Sequence, residues 1–355
     1  MAYRLGAGSW IAVGEESTFG TVSTIFNFLA PRPGDEDLSL VHEVIEVDAL
    51  TPGRGMYLES QQKGFSKVEG TLSMDLRYGG GQGKTFAMML SHLLQESAAT
   101  AGDDPYTHTW DFDYSSGLQA KGLTIGVYRD GDIGSQATDD LRQLLGCRPT
   151  AVTLSFEENA IVRADWTIIG KTAAFTSGSS LTPAFGTGDF LKLPSPAASP
   201  TAFCQVDWNR SDPDTPSRAA VNCRSGSLTI EQPSYEERSL QSPSASGYHY
   251  EDRLNITGSL ELEFQGTGTT GDDVSNAFVD QELAAVLLTL EGSTAANATL
   301  ALNLHSCLAT ASGEPHANEV GTIYQNFEFK ALRNVGETST TEGDIVLTNT
   351  ESAAY

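Results

Sequence analysis

The chain has 355 residues, and 21 Lys plus Arg stand against 46 Asp plus Glu, a formal charge of −25. So large an acidic surplus excludes a general nucleic-acid binder, which needs clustered Lys and Arg to neutralise phosphate, and a ligand of anionic membrane surfaces. With 39% hydrophobic and 19% charged residues the composition is that of a folding chain, and 35 glycines among many Thr and Ser point to strands and turns.

In chain order, the opening MAYRLGAGSWIAVGEES has no apolar run of signal-peptide length, and no later stretch approaches the ~20 apolar residues of a membrane helix. The expectation is a chain made and assembled in a cytoplasm. A strand-like run at 38–44 leads through an irregular stretch, 45–65, into a strand at 66–77. A Gly-rich turn follows, and Phe86, Met89, Leu90, Leu93 and Leu94 then predict a helix over 84–94 by their 3.6-residue spacing. Strands are expected at 122–128 and at 151–156, the latter paired with 161–169. Residues 172–200 are rich in Gly, Pro, Ser, Thr and Ala without periodicity and read as a linker. Beyond it come a strand at 227–231, a second irregular stretch at 232–253, a strand at 254–265 and a helix at 275–283. Strands at 299–305, 322–332 and 344–349 complete the chain.

The two longest alternating strands repeat each other. Aligning Gly70 with Gly258 matches Val68 with Ile256, Leu72 with Leu260, Met74 with Leu262 and Leu76 with Phe264. The intervening residues are polar in both, so each strand sets one face on a core and the other in water. The flanking pattern of run, long loop, strand, turn and helix also repeats. The fold class is therefore mainly β (α+β): two related β-sandwich or β-barrel domains, each with a flanking helix. The boundaries are 1–171 and 201–355, joined by 172–200.

No catalytic constellation is written in the chain. The string RYGGGQGKT at 77–85 sits between strand and helix as a phosphate loop would, but Tyr78 stands where that loop needs glycine. No two histidines lie three or four apart, and no Gly-x-Ser-x-Gly elbow occurs. The acid pairs Asp103-Asp104, Asp139-Asp140 and Asp272-Asp273 read as caps or solvated turns, with a calcium site the alternative. Cys147, Cys204, Cys223 and Cys307 form no CxxC and read as free thiols; Cys204 and Cys223 are a pairing that nothing in the sequence demands. The expectation is a non-enzyme without cofactor or resident metal.

Taken in order, AVGEESTFGT at 12–21, VEGTLSMDLRYGG at 68–80, YTHTW at 106–110, GCRPTAVTLSF at 146–156, VGTIYQNFEFKAL at 320–332 and IVLTNT at 345–350 resemble the tail tube (major tail) proteins of long-tailed phages and tailed archaeal viruses. The resemblance implies a structural virion protein located in the tail and assembled in the host cytoplasm. Strands of neighbouring domains would form a β-barrel around a lumen, and rings would stack into a conduit for genome ejection. It implies as partners other copies of the chain, a tape measure protein, tail terminator and baseplate proteins, and double-stranded DNA in transit without specific binding; no membrane is involved. Two repeats per chain suggest trimeric rings with pseudo-six-fold symmetry, or hexamers if the second repeat decorates the outside. Polar strand faces would then present Lys67, Glu69, Asp75, Arg77, Glu261 and Glu263 to a neutral-to-acidic lumen. The two irregular stretches would stack rings through Tyr57, Phe65, Tyr235, Tyr248 and Tyr250. The alternatives are another tail component, such as a terminator, neck or sheath protein, or a non-viral β-sandwich binding module. So much acid with seven lysines also suggests a saline setting, such as a halophilic archaeal host.

Overall fold

The computed structural model describes residues 9–32, 34–46, 61–77, 80–94, 98–100, 106–112, 121–129, 140–158, 160–177, 191–192, 203–208, 218–239, 242–250, 253–263, 270–292, 299–312, 316–317, 323–332 and 343–349. The first repeat contains β1 (Trp10–Glu15), β2 (Asn27–Leu29), β3 (Ser39–Glu46), β4 (Gln61–Asp75), α1 (Gly80–Leu94), β5 (Ala98–Thr100), β6 (Tyr106–Asp111), β7 (Leu123–Arg129), β8 (Asp140–Glu157), β9 (Arg163–Gly170) and β10 (Thr172–Ser177). The second contains β11 (Leu191–Lys192), β12 (Cys204–Asp207), β13 (Ala219–Val221), β14 (Cys223–Glu231), β15 (Ser234–Glu237), β16 (Gly247–Tyr250), β17 (Asn255–Glu263), α2 (Thr270–Val279), β18 (Leu283–Gly292), β19 (Thr299–Ser312), β20 (His316–Ala317), β21 (Ile323–Ala331) and β22 (Gly343–Asn349). The fold is mainly β and sandwich-like, as expected, and the described residues form no closed barrel.

The strand pairings repeat with the sequence. In the first repeat β3 pairs β4, β4 pairs β9 and β9 pairs the far half of β8. In the second β14 pairs β17, β17 pairs β21 and β21 pairs the far half of β19. Even the irregularities coincide. The bulge between Pro149 and Ala151 has its counterpart between Ala309 and Ala311, and that between Leu123 and Ile125 has one between Ala284 and Val286. In this alignment Cys147 falls on Cys307, and both are buried.

Alternation sets the core. Val68, Leu72 and Met74 on β4, Trp166 and Ile168 on β9, and Val152, Leu154 and Phe156 on β8 are all buried, as are Ile256, Leu260 and Leu262 on β17 and Phe327 and Phe329 on β21. Helix α1 packs on β2 and β8, and its Phe86 ring lies 5.7 Å from Trp166. Buried Trp110 of β6 donates to Ser91 of α1 at 2.8 Å. Helix α2 differs from expectation. It ends at Val279, its core side is Val274 and Ala277, Phe278 faces solvent, and Leu283 begins β18. The apolar run from Leu283 to Leu290 is more deeply buried as a strand than a helix face would be. The stretch 172–200 also contributes strands, β10 on β8 and β11 on β18; the rest of it lies outside the described residues.

His92 ends up in the last turn of α1 at 2% exposure, 3.8 Å from Glu15. Burial, with Arg148 and Lys121 nearby, pushes its pKa from 6.5 down to about 3. The unfolded chain therefore takes up this proton first, and stability is lost as pH falls from about 6.5 towards 3. The expected loss is roughly 2 kcal/mol between pH 7 and pH 5. Urea midpoints at these two pH values should differ much less in a His92→Phe variant than in the parent chain.

Candidate functional site: one polar sheet face across both repeats

The two repeats are joined edge to edge. The far half of β8 pairs antiparallel with β14, from Ala151 opposite Glu231 to Glu157 opposite Ser225. This seam makes one continuous sheet in the order β3-β4-β9-β8-β14-β17-β21-β19. Its registers align straight rows of side chains. Ser73, Asp165, Thr153, Thr229, Thr257 and Lys330 form one row; Asp75, Arg163, Ser155, Ser227, Ser259 and Glu328 form the next. Because alternate residues of the same strands are buried, these rows form the sheet's polar face. At the seam the Thr153 and Thr229 hydroxyls hydrogen-bond at 3.0 Å.

The six charged residues singled out from sequence all follow this face. In the first repeat Lys67, Glu69 and Asp75 stand in ion pairs, and in the second Glu261 and Glu263 accept hydrogen bonds. Lys67 pairs with Glu69 at 2.7 Å, and that contact pushes the Lys67 ammonium up from its ordinary value. Asp75 pairs with Arg32 at 2.7 Å, and neighbouring Arg163 pairs with Asp35 at 2.6 Å. Glu261 accepts from the Ser225 hydroxyl at 2.8 Å, and Glu263 accepts from the Asn222 amide. Arg77 is half-buried just past β4. Among the described side chains from β4 to β21 the face carries Lys67, Arg163 and Lys330, with Arg77 just past β4, against Glu69, Asp75, Glu157, Asp165, Glu231, Glu261, Glu263 and Glu328. Among the described residues it is a hydroxyl-rich acidic surface with no cluster of cations.

A second contact between repeats runs through the long stretch 232–253. It folds into a hairpin, β15 on β16, that lies against the first repeat. Ser66 N–H donates to Pro243 at 2.9 Å, and Arg238 pairs with Glu43 at 2.9 Å while covering the Phe65 ring at 4.2 Å. Tyr248 is buried edge-on against Phe19, with centroids 5.5 Å apart. Phe65 and Tyr248 are thus engaged inside the chain, whereas Tyr235 is 48% exposed. Tyr57 and the side chain of Tyr250 lie outside the described residues.

The socket that receives Tyr248 was not legible as a site in the sequence. Glu16 is fully buried and accepts from the backbone N–H of Gly20 and Gly146, at 2.5 and 2.8 Å, and from the Thr124 hydroxyl at 3.1 Å. Burial pushes its carboxyl up, opposed by those donors and by Lys171. The turn it holds sets Phe19 under Lys171, 5.2 Å from the ring centroid. Also missed was the pairing of β6 with β22, by which the first repeat extends the second repeat's other sheet. The only sequence signals for the socket are a polar Glu-Glu-Ser-Thr run next to glycines.

No helix among the described residues is long and apolar enough to cross a membrane. Comparison with curated proteins gives no match. A family profile described as phage tail tube protein matches residues 6–331. A sheet that runs on from one repeat into the other with one polar face accords with that match over most of the chain: the chain belongs to the phage tail tube protein family, the structural proteins that self-assemble into the tube of the virion tail.

Proposed function

We propose that three chains close each ring of the tube, each supplying two wall units, and that the polar sheet face lines a lumen through which the genome is ejected. The observation that carries this reading is the β8–β14 seam, a finished example of how one wall unit joins the next. Among the described residues β3 pairs only with β4, and residues 309–312 pair only with β21. These are the edges equivalent to β14 and β8. Transferring the seam register, in which Val152 faces Ile230 and Ala151 faces Glu231, sets Ser312 opposite Leu40 and Ala311 opposite Val41 of the next chain. Edge pairing of this kind also removes two open strand edges that would otherwise invite uncontrolled association.

The lumen so formed is hydroxyl-lined and acidic. It repels phosphate and offers DNA no cationic foothold, which suits passage rather than retention. Tape measure, terminator and baseplate proteins are the other partners in this reading, and catalysis has no part in it. In a chain carrying Val41→Cys together with Ala311→Cys, mild oxidation of assembled protein should give covalent trimers on a non-reducing gel. Monomers only, from tubes that assemble normally, would overturn the closing register.

A chain of charge −25 repels its own copies, so assembly is expected to depend on salt. Light scattering should follow tube loss as NaCl is lowered from about 1 M to about 0.05 M, where the Debye length grows past ~10 Å. Such dependence fits a saline host.

A further inference from the structure

Two of the four cysteines meet at a corner of the second repeat. Cys204 opens β12, is fully buried, and lies opposite Val221 of β13 in an antiparallel pair. The chain then passes through Asn222 into β14, leaving the sheet of β12 and β18 for the sheet of the seam. Asn222 marks the crossing: its carbonyl accepts from Glu263 N–H at 2.8 Å. Cys223 is the next residue, two beyond Val221, so its side chain returns to the side that faces Cys204. Cys204 belongs to the apolar core cluster and Cys223 packs against that same cluster, so the register and the packing bring the two side chains to one place. Cys223 is only half-buried, and its Sγ donates to the Ser225 carbonyl at 3.3 Å. Cys147 and Cys307 occupy matching core positions, each in its own repeat.

We propose that Cys204 and Cys223 are a redox pair that closes to a disulfide when the protein meets a small-molecule disulfide oxidant. The order of events follows from burial. The half-buried Cys223, as its thiolate, attacks one sulfur of the oxidant and releases one small thiol, leaving a mixed disulfide on Cys223. Cys204 then gives up its proton and attacks the Cys223 sulfur, releasing the second small thiol. Two protein thiols are oxidised and one oxidant disulfide is reduced to two thiols. The neighbouring Cys223 thiol, together with burial, holds the Cys204 thiol well above its ordinary range, so the second step is the slow one. The bond ties β12 to the first residue of β14, the strand that makes the seam with β8. The chain would stay open in a reducing cytoplasm and lock in an oxidising medium.

The test uses the full chain and glutathione disulfide in excess. Titration of the unfolded product should fall from four thiols to two, with no glutathione adduct on the intact mass and a peptide linking 204 to 223. Cys204→Ser should accumulate a stable glutathione adduct on Cys223, and Cys223→Ser should keep its three thiols. Four thiols after prolonged oxidation, a lasting adduct on the parent chain, or a link between any other pair would each overturn the proposal. None of these readouts depends on ring formation.

Discussion

A Gly70→Ala chain is expected to lose about 3 kcal/mol or more of stability and to yield little soluble protein. Gly70 sits in the middle of β4 with φ at +147°, a backbone setting that L side chains rarely adopt. An added Cβ would come 2.0 Å from the Asp37 carbonyl oxygen. Backbone cannot yield as a side chain can, because residues 35–37 are pinned on both sides. Asp37 N–H donates to Thr71 at 3.0 Å, and Ser73 N–H donates to Asp35 at 2.7 Å. Asp35 also holds Arg163, and Glu36 holds Arg142 at 2.7 Å. Clash and strain therefore add. The aligned Gly258 supplies the control. Its Cβ would meet the Phe329 ring at 2.3 Å, a side chain rather than backbone, and its φ is not in the unusual range. Gly258→Ala should cost about 1–2 kcal/mol, a typical overpacking penalty. Thermal unfolding of the two variants side by side checks the order; equal losses would contradict it.

Glu16→Ala is expected to cost about 3–5 kcal/mol, whereas Glu15→Ala next to it should cost less than ~1 kcal/mol. Glu15 is a surface group, paired with exposed Lys121 at 3.0 Å. Glu16 is fully buried and answers three donors, the backbone N–H groups of Gly20 and Gly146 and the Thr124 hydroxyl, the last two in buried bonds. Removing it leaves those donors unsatisfied and frees the turn that carries Phe19. Loss of the Phe19–Tyr248 contact then loosens the second repeat's hairpin, so the damage crosses between repeats. Urea midpoints measure the first effect. Increased protease cleavage within 234–250 in Glu16→Ala, and not in Glu15→Ala, measures the second.

The alternation of β4 and β17 made the polar face and its charged residues readable, because strand period and burial are local properties. The pairing of those strands into one sheet was not local. It depends on β8 meeting β14 across some 75 residues of chain, for which the sequence carries only alternation on each side. Helix α1 was legible from five apolar residues at helical spacing. Helix α2 was not, since Phe278 and Leu283 imitate that spacing while the true contacts are Val274 and Ala277. Strand β10 hid in a Gly- and Ser-rich stretch because its hold on β8 is through backbone hydrogen bonds, which composition does not reveal. Glu16 looked like one of 46 acids until burial distinguished it from Glu15.

The most direct test of the three-chain ring is electron microscopy of the assembled tube, averaged to a density in which single chains can be traced. Three chains per ring, with the two repeats alternating around an inner wall joined by β8 to β14 and by β19 to the next β3, is the predicted result. Six chains per ring, with the second repeat on the outside and β14 away from the lumen wall, would contradict it.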